Sequence, residues 1–182
     1  GDTQETLKAT SDALEAVKVT GLTVDEVTTA YRGLKESFGG VDVDLSKITD
    51  NAVGLEEKFG VAAKSSTQFA AALAPVGAEA GFTINQLQAL GAVAESQSSK
   101  SGTALADSFA RIIPVLQSKG IEIISIFDKA GKVDVGQKLA DSFSKGDTAG
   151  AFNTLIRNYK DLDEAQQKVL LPLLGKPRDL PG

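Results

Sequence analysis

Val24-Asp25-Glu26-Val27-Thr28-Thr29-Ala30-Tyr31-Arg32-Gly33-Leu34-Lys35-Glu36-Ser37-Phe38 is the stretch on which the fold turns. Its apolar side chains stand at Val24, Val27, Tyr31, Leu34 and Phe38, in alternating steps of three and four. The pattern runs on through Val41, Leu45, Ile48, Ala52, Leu55, Phe59 and Ala62. A stripe this narrow suits a helix that lies along another helix rather than on a broad core.

The stripe also repeats. Val27-Thr28 and Gly33-Leu34-Lys35-Glu36-Ser37-Phe38-Gly39 are echoed 21 positions later by Ile48-Thr49 and Gly54-Leu55-Glu56-Glu57-Lys58-Phe59-Gly60. Since this spacing is three heptads, the phase survives the Gly39-Gly40 pair, which is a poor helix interior. Two equivalent helices, over 23–38 and 44–59, are favoured over one interrupted coiled coil. Val24, Val27, Tyr31, Leu34, Phe38, Leu45, Ile48, Leu55 and Phe59 are the candidate partner-binding residues, with core packing inside a single bundle as the competing use of the same seam.

An N-terminal helix is expected near 4–19, with Leu7, Leu14 and Val17 as its apolar positions. From Ser65 onward small residues dominate, so helix backbones can approach closely, and Pro75 should kink or restart the helix near Ala74. Thr83 and Gln86 have capping-box spacing, and Ile84, Leu87, Leu90 and Val93 follow on one face. Gln97 to Gly102 reads as a polar turn, and Thr103 to Ser118 as a helix bent at Pro114. In Ile121-Glu122-Ile123-Ile124-Ser125-Ile126-Phe127 β-branched residues crowd together ahead of a glycine turn. A small β-hairpin pairing roughly 123–127 with 132–134 is the expectation there. Helices near 134–145, 147–159 and 163–174 should follow, with Asp147 and either Asp161 or Asp163 as caps.

These elements add up to an all-α multi-helix bundle of about 7–8 helices, partly elongated, with the hairpin near 121–134. Its expected parts are a heptad-patterned stretch 1–62, a compact helical domain 63–176 and an irregular tail 177–182. At 182 residues the chain can bury one sizeable core; 42% apolar but only 5% aromatic residues favour thin, closely packed helices.

The chain holds neither Cys nor His, so thiolate chemistry is excluded and the commonest general base and metal ligand are missing. Asp128 to Asp134 has a superficial calcium-loop look but lacks the further carboxylates, and a turn explains it better. Glu56, Glu57 and Asp141 read as solvated surface charge, and the serine runs as caps and turns. No catalytic, cofactor or metal residue is therefore expected. A net charge of −5 without a basic block points away from nucleic acid, and no apolar run is long enough to span a bilayer. The start, Gly1-Asp2-Thr3 in a chain without Met, reads as a tag remnant on an internal fragment.

Several segments occur in a telling order: Lys58 to Lys64, Phe69 to Ile84, Leu90 to Glu95, and Ser101-Gly102-Thr103-Ala104-Leu105. Gly120-Ile121, Phe127-Asp128, Gly131-Lys132 and Leu171 to Gly175 continue it. The succession resembles the conserved region of phage tail tape measure proteins over about residues 46–176. It departs from that pattern at Ala106-Asp107, where a basic residue is expected. The resemblance implies a structural protein of the tail lumen, assembled in the bacterial cytoplasm. Tube subunits would stack along the extended parent chain until it is covered, so that its length sets tail length. Tail tube and tail-tip proteins and tail assembly chaperones are the implied partners, with self-association also open. A non-viral helical protein–protein interaction module is the alternative reading, and a helical domain adjoining a peptidoglycan hydrolase a second one.

Overall fold

The computed structural model describes residues 2–39, 43–96 and 101–173. Among these there are ten α-helices and no strand: α1 Asp2–Thr20, α2 Val24–Ser37, α3 Leu45–Phe59, α4 Ala63–Glu79, α5 Ile84–Ser96, α6 Gly102–Leu116, α7 Gly120–Lys129, α8 Val133–Ser144, α9 Thr148–Asn158 and α10 Glu164–Leu173. Single 3₁₀ turns, Gln117–Lys119 and Tyr159–Asp161, extend α6 and α9. The bundle is as expected in class but richer than 7–8 helices. Val41, Gly40, the turn residues 97–100 and the tail 177–182 lie outside the described residues.

The additional helices include the segment expected to form the hairpin. Ile121 to Phe127 is helical because its burial follows the helical period: Ile123, Ile126 and Phe127 are buried while Ile121 is 83% exposed. Gly120 lets α7 lie against α8, where an added Cβ would come 3.1 Å from the Phe143 ring. Tertiary contact on that face outweighs the β-propensity of four isoleucines. The expected turn glycine does adopt positive φ, +78° at Gly131, but it closes a helix. Lys132 N–H donates to the Phe127 carbonyl (2.9 Å) and Gly131 N–H to the Asp128 carbonyl (3.1 Å), the paired bonds of a Schellman motif. The same pair of bonds ends α4 at Gly81 and α8 at Gly146.

Helix starts follow the caps read from the sequence. Thr83 and Gln86 exchange side-chain and backbone hydrogen bonds at 2.9 and 3.1 Å. Asp163 and Gln166 do the same at the head of α10, and Asp147 accepts from Gly150 N–H at the head of α9. Pro75 does not divide its helix: α4 runs through it from Ala63 to Glu79. Pro75 cannot donate to the Ala71 carbonyl one turn back.

α4 is the central element, packed against α6 and α5 and also against α2 and α3. Its contacts need missing side chains. A Cβ on Gly77 would come 2.7 Å from Leu87 Cδ2, and one on Gly91 would come 2.6 Å from Phe69 Cδ1, so each of α4 and α5 supplies a glycine to a large residue of the other. Phe69, Phe109 and Phe152 then form an edge-to-face series with centroid separations of 5.7 and 5.2 Å, and Phe82 joins Phe152 at 6.3 Å. This series ties α4, α6 and α9 together. One continuous core extends from Leu34 and Ile48 to Leu170, across residue 62.

Candidate interaction surfaces

The heptad seam belongs to α2 and α3. Thr23 caps α2 in a capping box with Glu26, whose carboxylate also accepts from Gln68 Nε2 of α4 at 3.1 Å. Hydrogen bonds from the Thr23 backbone and side chain, with help from Gln68 and Lys64, pull the exposed Glu26 carboxyl below its ordinary value. Asp44 caps α3 by accepting from Ser46 N–H.

These caps set the rotation of both helices, and the seam points mostly into the chain itself. Val27, Leu34, Phe38, Ile48 and Leu55 are buried, Tyr31, Leu45 and Phe59 are half-buried, and Val24 is 54% exposed. Tyr31 donates its hydroxyl to the Val43 carbonyl at 3.1 Å. The 21-residue repeat therefore corresponds to equivalent inward positions: Val27 with Ile48, and Leu34 with Leu55. Eight of the nine seam residues thus pack within this chain.

α3 is pinned to α5 by a residue that periodicity does not single out. Gln88 is fully buried; its Nε2 donates to the Ile48 carbonyl and its Oε1 accepts from Asn51 Nδ2, both at 2.9 Å. A buried amide satisfied on both ends fixes the register of two helices that apolar contacts alone would let slide.

Between α2, α4 and the start of α6 lies an open groove of about 400 Å³, lined among others by Asp25, Glu26, Gly33, Gln68, Ala71 and Thr103. At Gly33, one of its lining residues, a Cβ would lie 3.8 Å from the Ala71 carbonyl, which Pro75 leaves without its usual helical donor. Near the α5 to α6 junction, half-buried Glu95 takes hydrogen bonds from Ser65 and from Gly102 N–H. Burial nonetheless raises its pKa above the ordinary value, and its Oε2 has no hydrogen-bond partner among the described residues. Burial also raises the Tyr159 hydroxyl.

α1 departs from the sequence reading. It rests on the body through Ala16, with Ala13 and Val17 partly covered, while Leu7 and Leu14 are 65% and 60% exposed. Small side chains face inward because α1 lies close to α2 and α3. Of the three apolar positions read for this helix, Val17 is partly covered, and Leu7 and Leu14 are exposed.

Among the described residues no group of three or more Asp, Glu, His or Cys is placed to hold a metal, and no helix is long and apolar enough to cross a membrane. Among the described residues the chain is a helical bundle whose surfaces include exposed helix faces and the groove between α2, α4 and α6. Compared with protein-family models, curated proteins and solved structures, the chain matches none of them.

Proposed function

We propose that this chain is a structural segment of a phage tail tape measure protein, acting in tail assembly and length determination through helix–helix contacts and without catalysis of its own. The observation that carries the reading is the order of motifs from Phe69 to Leu105. It gains support from where those motifs fall: the small-residue run is α4, Gly81 is its stop, Thr83 caps α5 and Gly102 opens α6. Gly81, Thr83 and Gly102 of that order thus stand at joints of the fold, while Phe69 to Glu79 and Leu90 to Glu95 run within α4 and α5.

On this reading the bundle is a compact station on an otherwise extended ruler. Its partners are tail tube and tail-tip proteins and assembly chaperones, and its place is the tail lumen of a particle assembled in the bacterial cytoplasm. The test is made on particles produced by the genome encoding the chain. Peptides from this segment should be found by mass spectrometry in purified tails, and adding 100 helical residues to the extended part of the parent should lengthen tails by about 150 Å in electron micrographs. Absence of the segment from tails, or tails of unchanged length, refutes it.

A further inference from the structure

Burial along α1 is confined to its second half. Thr3, Gln4 and Thr6 to Ser11 are all exposed, and covered positions begin at Asp12 and Ala13. Ala16 is buried and Ala13 and Val17 are half-buried, in a small cluster with Leu22, Val27 and Leu45. No described residue of α1 joins the continuous core that runs from Leu34 to Leu170. Lys8 reaches Asp44 at 3.8 Å with 63% of its side chain exposed, a surface pair that adds little. A free helix of this length is marginal in water, so α1 depends on that one small cluster.

The seat is also incompletely filled. Between α1 and the helices beneath it lies a cavity of about 10 Å³, lined by Ala16 and Thr20 of α1 and by Val27, Leu45, Thr49 and Thr67. Such a gap forfeits dispersion contact on both of its sides. The neighbours, moreover, do not need α1 for their own ends. Thr23 and Glu26 close the head of α2 with bonds of 2.9 and 3.1 Å, and Asp44 caps α3 on Ser46 N–H. Gly21, at φ +81°, joins α1 to the cap of α2, and a Cβ there would meet nothing within 4 Å. A glycine between two separately closed helices is a place where the backbone can swing.

We propose that α1 is a strap over the seam of α2 and α3: it opens as one unit about Gly21 while the rest of the bundle stays folded, and its opening uncovers Val27, Leu45 and Thr49. Val27 and Thr49 are 2% and 4% exposed when the strap is closed, so exposure of this part of the seam is controlled within the chain. The proposal stands independently of the tail reading.

Native-state hydrogen exchange on the full chain reads the opening directly. Amides from Thr10 to Thr20 should share one protection factor, at least about a hundredfold below those of Phe69 and Leu73 in α4. Ile123→Val, in the core of α7, which packs on α8 and α10, should lower protection at Phe69 and Leu73 about two- to tenfold and leave α1 unchanged. Because the chain has no cysteine, an introduced thiol reports the uncovering. Thr49→Cys should react with a thiol reagent at least about a hundredfold faster than Ser108→Cys, which lies fully buried in α6. Ala16→Ser should lower α1 protection and speed the labelling of Thr49→Cys by one common factor. Protection that climbs along α1 until Thr20 equals Leu73, an Ile123→Val effect as large in α1 as in α4, labelling at position 49 no faster than at 108, or unrelated responses to Ala16→Ser overturns the proposal.

Discussion

Replacing Gly91 with alanine sets two opposed effects against each other at one buried position. Gly91 lies inside α5, where alanine is intrinsically better than glycine by about 1 kcal/mol. Its new Cβ, however, would stand 2.6 and 2.7 Å from Cδ1 and Cγ of Phe69 and 3.0 Å from that residue's Cβ, about 0.5–1.4 Å inside the normal carbon–carbon separation of about 3.5–4.0 Å. Phe69 cannot turn aside: it is fully buried and its ring meets Phe109 edge to face at 5.7 Å. Its Cβ moves only with the backbone of α4. The helices must therefore separate, and overpacking of this kind costs about 1–3 kcal/mol, with the upper part of that range expected for a clash on two central helices. Net destabilisation of about 1–2 kcal/mol follows, a fall of roughly 2–8 °C in thermal midpoint for a chain of this size. Gly54→Ala supplies the control. It too is inside a helix, it is exposed, and a Cβ there meets nothing within 4 Å, so up to about 1 kcal/mol of stabilisation is expected. Urea unfolding followed by circular dichroism measures both. If Gly91→Ala proves as stable as Gly54→Ala, the close packing of α4 on α5 described above is wrong.

Gln88→Ala should destabilise by about 1–3 kcal/mol, since it leaves a cavity and deprives Asn51 of its partner, whereas Asn51→Ala at the half-buried end should cost less; equal losses in denaturant titrations would remove the register role of Gln88. Thr83→Ala should cost about 0.5–2 kcal/mol through the lost cap of α5, and Thr83→Ser much less; identical unfolding midpoints would contradict it. Glu95 supplies a pH effect. Because its folded pKa is raised above the unfolded value, ionisation opposes folding, so this residue's contribution falls as pH climbs from the ordinary carboxylate range through the raised value. Glu95→Gln should flatten that part of the stability profile and gain on wild type at neutral pH, and a variant that loses stability there would show that the Ser65 and Gly102 bonds outweigh desolvation.

Much of this was legible in the chain because it is local. Helix starts depend on a hydroxyl, amide or carboxylate within three residues of the backbone N–H groups it satisfies, so the caps at Thr83, Asp147 and Asp163 could be read directly. Helix stops depend on a glycine able to take positive φ, as legible at Gly60; Gly131, expected in a hairpin turn, takes it too but instead closes α7. The three-and-four spacing of Val27, Leu34, Ile48 and Leu55 marked one face on each of α2 and α3, but not its use: proposed for a partner, with core packing as the competing use, these four are buried in the chain's own bundle.

Tertiary structure decided what such spacing cannot carry: which surface meets which, and how closely. Ile121 to Phe127 has strand-like residues, and only the fit of Ile123 and Phe127 against α8 makes it helix. The signal was present in the polar positions Glu122, Ser125 and Asp128, three apart, but β-branching overshadowed it. Leu7 and Leu14 look like core residues until the neighbouring helices approach the alanine side of α1 and leave the leucines in water. Gln88 looks like surface until α3 brings the Ile48 carbonyl to it. The all-helical class, the caps and most joints were thus determined by the chain itself, because short-range hydrogen bonding and the 3.6-residue period act within one turn. The partners of each face came only from the folded chain, because burial is a property of two surfaces and a sequence displays them one at a time.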